Sequence, residues 1–214
     1  RESEDEKVLK TLEMIEKSAE RGSNMVEQVL AFARGVEGER VALQAATIIE
    51  EVAKITTETF PDNIDVRVEV PDDLHDIVGD ATQIQQVLMN LCVNARDAMP
   101  DGGVIEISAS EADVSEAEAH RKMDAEAGSY VCLRVSDTGS GIPDEAIDKI
   151  FEPFFSTKAE GEGTGLGLST AYSIVKSHNG FVDVESETGE GTTFRVYVPV
   201  ATSSDERRGP AASG

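Results

Sequence analysis

Asn90 and Asn94 stand four residues apart in the stretch DATQIQQVLMNLCVNARDAM. On a helix that spacing stacks the two amides on one face, beside an apolar stripe of Ile84, Val87, Leu88, Leu91 and Ala95. Amide carbonyl oxygens are hard ligands of the kind Mg²⁺ takes together with phosphates and water. The plainer reading of the pair is hydrogen bonding to a neighbouring strand or to solvent. A lone carboxylate, Asp137, ends a strand-like run at Ser136-Asp137-Thr138-Gly139-Ser140-Gly141-Ile142-Pro143. Gly139 and Gly141 lack the Cβ that would keep a flat or bulky group from the backbone. Further on, Gly161-Glu162-Gly163-Thr164-Gly165-Leu166-Gly167-Leu168-Ser169 opens a helical stretch. Glycines before a helix N-terminus offer free N–H donors and a favourable dipole to phosphate, although such a run also suits a flexible loop. It is not a Walker loop, because no Gly-Lys-Ser/Thr ends it, and its glycine spacing is not that of the dinucleotide fingerprint. Asp-Thr-Gly-Ser also occurs in aspartic proteases, where two copies pair. Here there is one copy, in a chain without an all-β pattern.

Taken in order, the asparagine helix, DTGSGIP, Phe151-Glu152-Pro153-Phe154-Phe155-Ser156-Thr157-Lys158, GEGTGLGLS and Gly189-Glu190-Gly191-Thr192-Thr193-Phe194 form a series. That series resembles the N, first glycine, phenylalanine and second glycine boxes of the sensor histidine kinase catalytic domain, with its closing glycine-threonine strand. The domain belongs to the gyrase, heat-shock-ninety, histidine kinase and mismatch-repair ATPase superfamily. The resemblance covers roughly residues 40–200. The stretch ending Glu27-Gln-Val-Leu-Ala-Phe-Ala-Arg34 is similar to the second helix of the kinase dimerisation hairpin.

The resemblance implies ATP and Mg²⁺ as ligands. Asn94 would be the principal metal ligand, with Asn90 beside it. Asp137 would accept a hydrogen bond from the adenine amino group, with Gly139, Gly141 and Ile142 around the base and Thr193 close to it. Phe151–Gly163 would cover the nucleotide, and Phe154 and Phe155 would dock that cover and contact the helical hairpin. Gly165, Leu166, Gly167 and Leu168 would face the phosphates through backbone N–H groups, Gly163 and Thr164 would also belong to the nucleotide site, and Lys158 would reach the terminal phosphate. Asp97 stands where many of these kinases have a basic residue. Two readings follow: weaker phosphate contacts, or Arg96 as the substitute.

Hydrolytic members of the superfamily carry a glutamate base four residues before the metal asparagine. Asn90 occupies that position and cannot take a proton at neutral pH. Transfer of the γ-phosphoryl group to a histidine, which brings its own nucleophilicity, is better served. The expected partners are an acceptor-histidine helical hairpin in the same or a partner subunit of a homodimer, and a response regulator receiver domain. The acceptor is expected upstream of residue 1, so the chain is expected to bind nucleotide without phosphorylating itself. His75 matches an acceptor motif only superficially, and His120 and His178 read as structural or exposed. His178, at a helix end beside Asn179-Gly180, is placed favourably for a partly charged imidazole.

These residues need elements to position them. Val8, Leu12, Ile15, Ala19, Gly22, Val26, Val29 and Ala33 alternate four and three apart, a heptad seam that predicts a long helix seeking another helix. A short strand is expected at Val41–Leu43, a helix over Gln44–Phe60 and strands over Ile64–Val70 and Leu74–Val78. Asp80 reads as the N-cap of the asparagine helix, which runs to about Met99. Strands follow at Val104–Ala109 and Tyr130–Ser136, joined by an acidic connection over residues 111–128. A short helix at Asp144–Lys149, a helix at Leu166–His178 and a closing strand pair, Phe181–Ser186 and Thr192–Pro199, complete the set. The expected fold is α+β: a two-layer α/β sandwich of the Bergerat ATP-binding type, with a mixed sheet, helices on one face and a long preceding helix. The division expected is residues 1–38 as hairpin helix, 39–200 as ATP-binding domain and 201–214 as a disordered tail or linker.

Composition narrows the partners. The formal net charge of −23 opposes a nucleic-acid backbone or an anionic membrane surface. It also opposes ATP, so a divalent cation and oriented N–H groups would have to offset the repulsion locally. Cys92 and Cys132 are the two cysteines; they sit in apolar runs and read as small buried hydrophobes, which suits a reducing cytoplasm. No apolar run approaches ~18 residues, and a membrane anchor elsewhere in the parent protein stays open.

Overall fold

A computed structural model of the chain describes Val8, Thr11, Leu12 and residues 40–119, 125–158 and 164–202. Val8, Thr11 and Leu12 are helical. The rest of the heptad seam, His120, Gly161–Gly163 and the tail beyond Thr202 lie outside the described residues. The chain divides into Arg1–Glu37 and Gly38–Gly214, and the second unit carries every element that follows.

Strand β1 (Val41–Leu43) leads into helix α1 (Ala45–Thr59), then β2 (Ile64–Glu69), β3 (Ile77–Gly79) and the asparagine helix α2 (Ala81–Asp97). Next come β4 (Gly103–Val114), the short α3 (Glu116–Ala119), β5 (Gly128–Asp137), α4 (Asp144–Ile147), α5 (Gly167–Ser177), β6 (Phe181–Glu187) and β7 (Gly191–Pro199). Five strands form one sheet in the order β2-β4-β5-β7-β6, and β1 pairs with β3 in a separate two-stranded sheet. In the larger sheet β2–β4 is parallel and the other pairs are antiparallel, the mixed sheet that the element order predicts.

The period-2 alternation of β5 divides its side chains between two faces. Val131, Leu133 and Val135 join Ile105, Ile107, Val196 and Val198 in the main core. That core is closed by Ile48, Ile49 and Val52 of α1, Ile84, Leu88 and Leu91 of α2, and Ile174 and Val175 of α5. The three long helices thus share one face of the sheet. Cys92 is fully buried among them, and burial pushes its thiol up to about 12, so it is a packing residue.

Tyr130 and Cys132 point the other way, into a smaller cluster with Val114, Phe181 and Tyr197. Phe181 and Tyr197 stack at 4.2 Å, and Tyr130 meets both edge-on. This cluster explains why β4 and β5 run further than their apolar alternation predicts. Ala112, Ala119 and Ala125 pack against it, so the acidic stretch is partly strand, its first residues extending β4 to Val114. The expected strand at Leu74–Val78 shortens to Ile77–Gly79 and leaves His75 exposed outside it, its ring against Glu111.

Candidate functional site

Asp80 caps α2: its Oδ1 accepts a hydrogen bond from Gln83 N–H at 3.1 Å. Two polar ties then align α2 against α5. At one end Asp80 N–H donates to His178 Nε2 at 3.1 Å. At the other, Asn90 Nδ2 donates to the Gly167 carbonyl at 3.1 Å. The helices therefore run antiparallel, and the first turn of α5 lies beside the two asparagines. A Cβ on Gly167 would stand 3.9 Å from Asn94 Nδ2.

His178 is 2% exposed. Its Nε2 accepts from Asp80, so the ring proton sits on Nδ1, which donates to the Ile174 carbonyl at 2.8 Å. Burial, with a smaller contribution from Arg40, holds the imidazole below its ordinary value against the pull of Ile174 and Asp80. The partly charged imidazole expected from the helix end is thereby corrected: desolvation outweighs the helix dipole.

Asn94 Nδ2 is buried without a hydrogen-bond partner; among the described residues only Gln83 Oε1 shares that condition. An orphaned buried amide costs about 1–3 kcal/mol. Rotation of the same amide would present Oδ1 instead, so the group suits a ligand that supplies either a phosphate oxygen or a cation. Facing it, Leu166 at the N-cap of α5 provides no side-chain acceptor, which leaves first-turn N–H groups available to an anion. Among the described residues no three His, Cys, Asp or Glu side chains group to hold a metal. A divalent cation here would take amide oxygen from α2 and the remainder of its shell from phosphate and water.

Asp137 ends β5 with 8% exposure. Burial raises its carboxyl pKa, and N–H groups of Gly139 and Thr192 offset part of that rise; the Gly139 bond to Oδ1 is 2.8 Å. Ser140 N–H donates to the Ala98 carbonyl at 3.0 Å, so the loop lies at the C-terminal end of α2, one turn beyond Asn94. Thr193 pairs with Ser136 in the sheet and meets its hydroxyl at 2.8 Å. The glycines of this loop admit protein rather than an open space. A Cβ on Gly139 would lie 2.8 Å from Ala98 and from Asp137 Oδ1, and one on Gly141 (φ +69°) would lie 2.1 Å from the Glu187 carbonyl. Ile142 N–H donates to Ser186 Oγ at 2.8 Å, and the Ile142 side chain packs against the main core. Sequence reasoning gave Gly191 and Ser186 no individual role. Gly191 (φ +119°) brings the β6–β7 turn within 2.0 Å of Asp137 O, measured from a Cβ it lacks. Its place in a Gly-x-Gly turn was a usable signal; Ser186 had none.

Residues 151–158 reach the site through α5. Phe151 lies against Tyr172 with centroids 5.0 Å apart, and Phe155 packs on the core. Phe154 is 65% exposed and takes φ +68°. Its N–H donates to Gly165 O at 2.9 Å, and Gly165 (φ +66°) has no room for a Cβ beside the Phe154 backbone. Thr164 Oγ1 receives a long hydrogen bond from Leu166 N–H, and Leu168 packs on the core. Lys158 Nζ bonds Asp97 Oδ2 at 2.6 Å. Arg96 occupies the other oxygen, at 2.7 Å, with its guanidinium 5.1 Å from the Phe60 ring centroid. Burial raises the Asp97 pKa, but Lys158 and Arg96 together carry it below the ordinary value. The structure thus brings Gly167 beside Asn90 and Asn94, joins Lys158 to Asp97 at the last residue of α2 and sets the Asp137–Ser140 loop just past that end. Gly141 lies against the β6–β7 turn, Thr193 beside Ser136 and Gly165 beside Phe154. Gly163 lies outside the described residues.

Residues 79–202 match the family model of histidine kinase-, DNA gyrase B-, and HSP90-like ATPases. The chain belongs to that ATPase family. The match begins at Gly79, before the Asp80 cap, and ends past β7, so it includes α2, α5 and the loop that follows β5. The sensor kinase CckA of Brucella abortus (strain 2308) is 38% identical over 185 residues, covering 86% of this chain and 20% of that protein. The solved structure of full-length ShkA with AMPPNP aligns at TM-score 0.73 with 26% identity, over 94% of this chain and 40% of that one. The histidine kinase ThkA, solved in complex with the response regulator protein TrrA, aligns at TM-score 0.71 with 26% identity, over 94% of this chain and 53% of that one. The chain therefore spans only a part of each of these proteins. Among the described residues of this family member, no helix is long and apolar enough to cross a membrane.

Proposed function

We propose that Gly38–Gly214 binds Mg-ATP between α2 and the first turn of α5 and transfers the γ-phosphoryl group to a histidine. The acceptor would be carried by a helical hairpin of the same or a partner subunit, and a response regulator receiver domain would take the group onward. The observation that carries this reading is the orphaned Asn94 amide facing the uncapped N-terminus of α5. Membership of the ATPase family, the AMPPNP bound by ShkA and the TrrA bound by ThkA support it.

Asn94 and Asn90 would hold Mg²⁺, which neutralises phosphate charge. The N–H groups of Gly167 and Leu168 would bind phosphate oxygens in a chain whose net charge is −23. Asp137, kept in place by Gly139 and Thr192, would accept from the adenine amino group, with Thr193 close by. In the transfer the acceptor imidazole nitrogen bonds to the γ-phosphorus as the bond to the bridging oxygen breaks and ADP leaves. Asn90 offers no base for water, so hydrolysis should be slow beside transfer. Residues 1–38 would be the second helix of the hairpin, and the domain would work in the cytoplasm.

The test supplies this chain, at saturating Mg-ATP labelled in the γ position, with a hairpin domain containing an acceptor histidine. The expected product is acid-labile phosphohistidine on the hairpin and none on the 214-residue chain. Bound nucleotide without transfer would reduce the protein to a scaffold. Rapid release of inorganic phosphate by this chain alone would assign it to the hydrolytic branch.

A further inference from the structure

Lys158 is the cation that the nucleotide reading sends to the terminal phosphate, yet in the structure it is already taken. Its Nζ is 2.6 Å from Asp97 Oδ2, with the two side chains 31% and 27% exposed. The carboxylate is not a loose partner. Arg96 donates to its other oxygen from both Nε and Nη2, at 2.9 and 2.7 Å, and the guanidinium is itself seated over Phe60. Asp97 is therefore held in place with one oxygen turned to Lys158. Arg96 is thereby engaged on the oxygen of Asp97 opposite Lys158.

Asp97 follows Asn94 by three residues, so the two side chains occupy one face of α2 about 5–6 Å apart at Cβ. A triphosphate reaching the Asn94 amide would bring a second anion within a helical turn of Lys158. An ammonium is a compact point charge on a flexible stem and exchanges partners readily. A diphosphate ends one phosphoryl group short and leaves the lysine on its carboxylate.

We infer that Asp97 is a specificity-determining residue that competes with the terminal phosphate for Lys158 and so narrows the preference of the site for ATP over ADP. This rests on the nucleotide reading above. The carboxylate lowers ATP affinity by the strength of the ion pair that must be broken and leaves ADP affinity nearly untouched. Partly exposed pairs of this kind correspond to roughly 1.4-fold to fivefold in an equilibrium constant.

The experiment is calorimetric titration of the 214-residue chain with ATP and with ADP in the presence of Mg²⁺. The chains compared are the parent, Asp97→Asn, Lys158→Met and the double variant. Asp97→Asn is expected to tighten ATP about twofold to fivefold and to leave ADP within about 1.5-fold, and the gain is expected to vanish in the Lys158→Met background. An equal gain for ATP and ADP, or one that persists without Lys158, would show mere removal of a negative charge and overturn the inference. Weaker ATP binding by Asp97→Asn would overturn it too, by making the carboxylate a support for the lysine. A parent chain that takes up neither nucleotide removes the nucleotide reading itself, and the inference with it.

Discussion

Replacing His178 by alanine tests how the two helices of the site are held together. The imidazole lies at 2% exposure and serves two backbone groups, accepting from Asp80 N–H and donating to the Ile174 carbonyl. Ile174 O keeps a partner in the variant, because His178 N–H also donates to it at 3.1 Å. Asp80 N–H has no such alternative among its observed bonds. Stranding that donor costs about 1–3 kcal/mol, and the cavity left by the ring adds about 1 kcal/mol. The expected loss is about 2–4 kcal/mol. At about 2–4 °C per kcal/mol for a unit of this size, thermal unfolding should move down by roughly 4–16 °C. His178→Gln can still offer an oxygen near the Nε2 position and should lose about half as much.

The same residue predicts a pH dependence. Burial lowers the imidazole pKa in the folded state, so below the unfolded value of about 6.5 the unfolded chain binds a proton that the native chain refuses. Stability then falls as pH drops from about 7 through 6.5 towards the native value. Denaturant unfolding of parent and His178→Gln at pH 8 and pH 5.5 isolates this contribution as a difference of differences, since the many carboxylates are common to both. An alanine variant within about 0.5 kcal/mol of the parent, or identical acid sensitivity of parent and glutamine variant, would refute the reasoning.

Two further substitutions separate function from fold. Asn94→Ala removes an amide whose Nδ2 already lacks a partner. It should leave the thermal midpoint unchanged or raise it by about 1–3 °C while abolishing Mg-ATP binding in calorimetry; retained binding would remove Asn94 as a metal ligand. Gly141→Ala drives a Cβ to 2.1 Å from Glu187 O, whereas Gly189→Ala, at φ +90°, meets open space. The first should cost about 3 kcal/mol or more and the second about 1–2 kcal/mol, a ranking that urea unfolding of the two variants checks directly.

The elements were readable where one stretch of chain carries its own signal. Asp80 is an N-cap because its carboxylate reaches Gln83 three residues away, and Asn90 and Asn94 share a face because helix geometry places them there. The strands of the closing pair show their alternation, and the glycines at 165 and 167 announce a helix start that leaves N–H groups free. The order of these pieces was enough to point to the ATPase family, whose match covers residues 79–202. The extended β4–β5 pair was harder, since Ala112 and Val114 are weak signals until Phe181 and Tyr197 arrive from the other end of the chain to pack near them.

Sequence alone determined which amides, glycines and carboxylates the chain offers, and on which kind of element each stands. Tertiary structure decided their state. His178 met the donor for its Nε2 98 residues away, and burial lowered its pKa. Lys158 found its counter-ion 61 residues back, and Ile142 its acceptor 44 residues on. Periodicity and capping are written within a few residues, because helices and strands repeat over that distance. Desolvation and pairing depend on which distant segments the core brings together, and no local pattern encodes them.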